Sequence, residues 1–127
     1  MINKELIKKI RFTGPVKLGR SASYFFARLR NLTTIEGLRM LDTSNVEDMR
    51  AFFYDTPSLK EIEPIDLAFN TTNVRTMDYM FQKTNIPKLD IRYLSTSSVT
   101  SMGSMFAMSN ISELKLGDFK TSKVTDM

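Results

Sequence analysis

The sequence predicts an α/β repeat solenoid: a stack of short parallel strands on one face and short helices on the other, with a period of about 25 residues. Recurrence is the first observation behind it. The segments T-S-N-V-E-D-M, T-T-N-V-R-T-M, T-S-S-V-T-S-M and T-S-K-V-T-D-M place valines at Val46, Val74, Val99 and Val124, separated by 28, 25 and 25 residues. The second is a fixed apolar register around each valine. A methionine follows three positions later (Met49, Met77, Met102, Met127), and a phenylalanine seven positions after the first three valines (Phe53, Phe81, Phe106). Leu41, Phe69, Leu94 or Phe119 stands five positions before. The third is a change of periodicity within each unit. Val74, Met77, Met80 and Phe81 share one face of a two-turn helix, whereas the inner L-x-L of Ile86–Leu94 and Ile111–Phe119 alternates as a half-buried strand does.

Residues 1–15 read as an amphipathic N-terminal cap, with Ile2, Leu6, Ile7 and Ile10 apolar. Residues 16–41 read as a degenerate first unit, because Tyr24, Phe25 and Phe26 precede Leu32 as Phe53 precedes Leu59. Units 42–69, 70–94 and 95–119 follow, then a partial unit, 120–127. In each helical half Ser44, Thr72, Ser97 or Ser122 is placed to cap the first turn, and Ser44 with Glu47 fits a capping box. Extra residues within Leu32–Leu41 and around Pro64 predict bulges or a shifted loop in the strand half. Met127 falls inside a helical half, where a solenoid normally carries a cap, so a longer array or a paired open end is expected.

A unit of one strand and one short helix lies in the leucine-rich-repeat range. The pattern T-S-N-V-x-D-M-x-x-M-F followed by L-x-x-L-x-L-x-x-F resembles the BspA-like leucine-rich repeat of bacterial surface proteins, closely over residues 43–127 and loosely over 16–42. That family often has a cysteine three residues after the phenylalanine; here the column holds Thr56, Thr84 and Ser109. The resemblance implies a non-enzymatic binding module, surface-exposed or secreted, with a role in adhesion to host proteins or cells. No secretion signal or anchor is legible to match it: Lys4, Glu5, Lys8 and Lys9 interrupt any apolar run at the start.

Composition narrows the chemistry. The chain has 127 residues, 42% hydrophobic and 25% charged, which fits a single globular domain. It has neither cysteine nor histidine. Disulfides, cysteine-ligated zinc, Cys–His nucleophiles and Ser–His–Asp triads are thereby excluded. No phosphate-cradling glycine motif occurs, and Glu61 with Glu63 alternate with apolar residues rather than sharing a buried cleft. No enzyme activity, cofactor or metal is expected, and no apolar run is long enough for a membrane span.

The expected binding surface is the set of non-core strand positions: Glu36 and Arg39, Glu63 and Asp66, Asp90 and Arg92, Lys115 and Asp118. Their mixed signs suit a protein partner better than a phosphate track. A structural or assembly role, with self-association through the C-terminal end, is the alternative. Charge supplies a third reading. Residues 1–40 carry nine basic residues against two acids, residues 41–127 nine against twelve, within a net +4. Lys4, Lys8, Lys9, Arg11, Lys17, Arg20, Arg28 and Arg30 could draw an anionic polymer, but no nucleic-acid motif accompanies them, and nucleic acid ranks last. The methionines Met49, Met77, Met80, Met102 and Met105 are expected as core filler, not soft metal ligands. Asn31, Asn70 and Asn110 lie in N-x-S/T triplets. Asn31, Asn85 and Asn110 share one register before an apolar residue, which predicts turns. The hydroxyl pairs from Thr43/Ser44 to Thr121/Ser122 are expected to serve caps and ladders.

Overall fold

A computed structural model of the chain describes residues 3–63, 69–92, 94–117 and 119–125. Its regular structure is three separate two-stranded parallel sheets. Strand β1 (Lys9–Arg11) pairs with β3 (Thr34–Glu36), β2 (Val16–Lys17) with β4 (Leu41–Asp42), and β5 (Lys88–Ile91) with β6 (Glu113–Leu116). Single parallel bridges add Ser21 to Asp48, Asp48 to Thr76 and Thr76 to Ser101. There is no α-helix among the described residues, only 3-10 turns at Lys4–Leu6 and Leu38–Met40. The leucine-rich-repeat-like α/β solenoid expected from the sequence is therefore corrected to a small β-rich domain.

The error has a definite physical cause. An α-helix needs each N–H to meet the carbonyl four residues earlier. Here the N–H groups of Met49, Ala51, Phe53 and Asp55 instead donate to the carbonyls of Thr76, Asp78, Met80 and Gln82, at 2.8–3.0 Å. Ala22, Tyr24, Phe26 and Arg28 donate likewise to Asp48, Arg50, Phe52 and Tyr54. Met77, Tyr79, Phe81 and Lys83 donate to Ser101, Gly103, Met105 and Ala107. Six of those donors, together with Ser104 and Met108, are left-handed residues four apart: Tyr24 and Arg28, Ala51 and Asp55, Tyr79 and Lys83, Ser104 and Met108 (φ 52–63°). Each such residue costs about 1–2 kcal/mol for an L-amino acid, and no helix tolerates them in sequence. The spacing of Val46, Met49 and Phe53 still puts all three inside, because tight turns linked by extended steps return the same positions to the core.

The predicted caps change role with the helices. Ser44 Oγ donates to Asp42 Oδ1 at 2.7 Å and Thr72 Oγ1 to Asn70 Oδ1 at 2.7 Å, closing local turns instead of capping. Glu47 faces Arg20 and Arg75, so no capping box forms. The neighbouring threonines bond between segments: Thr43 Oγ1 donates to the Asn70 carbonyl, Thr71 Oγ1 to Ser95 and Thr96 Oγ1 to Lys120. Asn31 Nδ2 reaches the Glu5 carbonyl and Asn85 Nδ2 that of Pro57. Gly37, just after β3, takes a left-handed turn (φ 76°) where a Cβ would stand 2.5 Å from the Phe12 carbonyl oxygen. The expected irregularity around Pro64, together with Ile2 and Met127, lies outside the described residues.

The core runs between the sheets and the turns. Phe26, Phe53, Phe81 and Phe106 stack in one file, with ring centroids 5.7, 5.4 and 5.7 Å apart and planes within 17° of parallel. Val46, Met49, Val74, Met77, Met80 and Val99 are fully buried beside it, as are Leu32, Leu38, Leu59, Ile86 and Ile91. Among the described residues no buried side-chain nitrogen or oxygen lacks a hydrogen bond.

Candidate functional site

The strand-side charges expected to form a binding face already hold partners, some within the set and some from neighbouring strands. Register places Arg11 of β1 beside Glu36 of β3, and the carboxylate holds Lys9 at 2.8 Å and Arg11 at 2.6 Å. Arg39 Nε meets Glu63 at 3.0 Å, while the other Glu63 oxygen accepts the Leu38 N–H at 2.9 Å. Asp90 accepts from both Arg92 Nε and Nη2, at 3.0 and 2.9 Å, and lies in register with Lys115. Lys115 itself sits 3.9 Å from Glu113. Asp66 and Asp118 lie outside the described residues. The structure thus brings Arg39 to Glu63, and Asp90 to Arg92 and Lys115. These six placed residues carry three charges of each sign, already facing partners.

Hydrogen bonds from Lys9, then Arg11, hold the Glu36 carboxyl below its ordinary range, and those from Arg92 do the same for Asp90. Both groups are open to solvent, so the stabilisation is modest. Its sign is fixed, because a carboxyl lowered by folding stabilises above its unfolded pKa and loses that support as pH falls through the folded value. The Glu36→Gln and Asp90→Asn variants are expected to lose less stability than the parent between about pH 6 and pH 3. Urea midpoints across that range check this, and parallel curves for parent and variants would refute it.

Half of the basic residues at the start of the chain, Lys9, Arg11, Arg20 and Arg30, are likewise engaged. Arg30 clasps Asp55 through both oxygens at 2.8–2.9 Å, and Arg20 lies 3.5 Å from Glu47. A polar cavity of about 490 Å³ opens there, lined by Arg20, Asn45, Glu47, Asn73, Arg75 and Ser98 among others. Its two arginines share the one carboxylate of Glu47.

A different surface emerges on the turn side. The left-handed residues at equivalent points of successive segments are Tyr24, Ala51, Tyr79 and Ser104. Tyr24 and Tyr79 are 45% and 40% exposed, and Phe25 beside them 37%. Together with Arg28, Ala51, Tyr54 and Gln82 the two tyrosines line an open cavity of about 330 Å³. The Arg28 guanidinium lies 5.4 Å from the ring centres of both Tyr24 and Tyr54, and Lys83 Nζ 5.7 Å from that of Tyr54. Among the described residues neither Arg28 nor Lys83 forms an ion pair, and no carboxylate lines the cavity. Tyrosine faces beside unneutralised cations are enriched where proteins meet partners. Sequence reading named Arg28 only within the basic end and passed over the tyrosines, because it sought functional positions on the strands. The signal was present, since Tyr24 and Tyr79 are bulky in a column that otherwise holds Ala51 and Ser104.

Comparison with known proteins corrects the resemblance drawn from the motif. Residues 20–127 match the family model described as "Mycoplasma protein of unknown function, DUF285". It is this family, and not a BspA-like or other leucine-rich-repeat family, that the chain matches. No curated protein and no solved structure matches the chain.

Proposed function

The chain belongs to the DUF285 family, whose function is unknown, and we propose from its own surface that it is a non-enzymatic binding module for a protein partner, contacting it through the turn-side aromatic residues. The observation that carries this reading is the exposure of Tyr24 and Tyr79 around a cavity whose one cation, Arg28, has no carboxylate partner among the described residues. Exposed aromatic residues desolvate at low entropic cost and dominate contact energies, while arginine adds directional bonds. The strand-side charges contribute less, because each must give up an internal partner before it can serve an external one.

Selection of a displayed random-peptide library against the immobilised chain tests the reading. Enriched clones are expected to bind the Tyr24→Ala/Tyr79→Ala double variant at least about tenfold more weakly, a loss of about 1.4 kcal/mol. The same clones should retain affinity for Asp90→Ala/Arg92→Ala. Alanine suits the tyrosine positions, since Ala51 holds the same left-handed conformation. The reverse pattern would move the contact to the strands, and no enrichment would defeat the proposal.

A further inference from the structure

The bridges from Ser21 to Asp48, Thr76 and Ser101 set the segments side by side in chain order, so the first and last strands lie at opposite ends of the fold. β1 bonds only to β3, and β6 only to β5. In a parallel ladder alternate residues direct both backbone groups to one side. The Glu113 N–H donates to the Pro87 carbonyl at 3.0 Å, so Leu114 and Leu116 turn their N–H and C=O groups away from β5. The Phe12 N–H donates to the Glu36 carbonyl at 2.9 Å, so Lys9 and Arg11 turn theirs away from β3. Neither edge has a partner among the described residues. Apolar exposure follows the same division. Ile35 of β3 and Leu89 and Ile91 of β5 are buried, whereas Leu116 is 50% exposed and Leu114 and Ile10 are half-buried.

We propose that a second copy of this chain docks head to tail, β1 of one copy adding to the open edge of β6 of the other. Within the chain Ile10 stands opposite Ile35, Leu89 opposite Leu114 and Lys88 opposite Glu113. The same register carried across copies sets Leu114 against Ile10, Leu116 against Phe12 and Glu113 against Lys9. Apolar side chains then meet on the core side and opposite charges outside, the pairings that stabilise neighbouring strands. Lys115 faces Arg11, but each already holds a carboxylate: Glu113 lies 3.9 Å from Lys115, and Glu36 2.6 Å from Arg11. Polarity selects this arrangement over one that joins like ends. On the turn side the N–H groups of Ser104, Phe106 and Met108 have no acceptor, and the carbonyls of Ser21, Ser23 and Phe25 no donor, among the described residues. One end therefore presents donors and the other acceptors, and two like ends would set donor against donor. An interface between unlike faces need not close on itself, so copies add in an open row.

Proline separates the edges from the rest of the fold. It removes one N–H and is tolerated in an edge strand where that N–H faces outwards. Leu116→Pro blocks the β6 edge and Arg11→Pro the β1 edge. Leu116→Lys and Lys9→Glu keep every backbone group and block the same edges by charge, so a proline that unfolds its strand does not end the test. Circular dichroism and urea midpoints identify the folded variants. Size exclusion with light scattering is run on each from about 10 μM to about 500 μM. The parent is expected to gain mass with concentration and to pass beyond two copies. Each variant alone should stay monomeric, its self-association weakened at least about tenfold. An equimolar mixture of one β6-blocked and one β1-blocked variant retains one open edge of each kind, and should form a pair that stops at two. A parent that stays monomeric would overturn the proposal and leave the edges to a different chain. Variants that associate as the parent does, or that fail to pair when mixed, would overturn it too, as would a parent that stops at two copies. No substitution touches Tyr24 or Tyr79, so peptide capture at the turn side stands or falls separately.

Discussion

Phe53→Ala is expected to remove about 3–5 kcal/mol of stability, the range for a buried phenylalanine cut to a methyl group. Phe53 is fully buried and has ring neighbours on three sides: Phe26 at 5.7 Å, Phe81 at 5.4 Å and Phe52 edge-on at 4.8 Å. Its loss empties the middle of the stacked file, where backbone on both sides is tied by hydrogen bonds and cannot collapse inward. Domains of this kind are stable by about 5–15 kcal/mol, so the change takes roughly a fifth of that or more. Phe106→Ala is the internal comparison. Phe106 stacks on Phe81 alone and is partly exposed, so its removal should cost less than half as much. Urea unfolding of both variants checks the ranking, and equal losses would mean that the file does not act as a unit.

Asp78→Ala is expected to cost about 2–3 kcal/mol, through polar groups stranded in the interior. The Asp78 side chain is buried and accepts from Ser101 Oγ at 2.5 Å and from the Gly103 N–H at 2.7 Å, while Arg50 lies 3.5 Å from its second oxygen. Alanine leaves the Gly103 N–H with no acceptor and Arg50 with no counter-charge. Asp78→Asn keeps an oxygen for Gly103 and should lose less than half as much. The two urea midpoints decide the matter: equal and small shifts would show that Asp78 is incidental to this junction.

These residues mark where sequence legibility ends. Val46, Met49, Phe53 and their counterparts read as interior, and they are interior, because burial depends on apolar spacing that sequence displays openly. The geometry that buries them was not legible. Left-handed turns are ordinarily announced by glycine or asparagine, but here Tyr24, Ala51, Tyr79 and Lys83 adopt them, held by bonds to residues 24 to 27 positions away. A local reading meets a helical period and has no means of weighing those distant carbonyls. The strand face was misjudged for a related reason. Glu36 and Arg39 look like free charges in one dimension; their partners Lys9, Arg11 and Glu63 are supplied by neighbouring segments. The turn-side surface needed the same knowledge, since only the alignment of neighbouring segments brings Tyr24, Tyr54 and Tyr79 to one cavity.

The one-way backbone bonding of the turns has an electrostatic result. In all three sets the earlier segment donates and the later one accepts, so twelve carbonyls point towards the start of the chain and twelve N–H groups away from it. Bonds running from Glu47, Arg75 and Thr100 oppose this in part. Peptide dipoles aligned in this way add up, as they do along a helix axis, leaving a negative pole at one edge and a positive pole at the other. Nine basic residues fall within the first forty, on the side of the negative pole, and acids outnumber bases in the remainder. The charge gradient along the sequence then complements a macrodipole built without a helix.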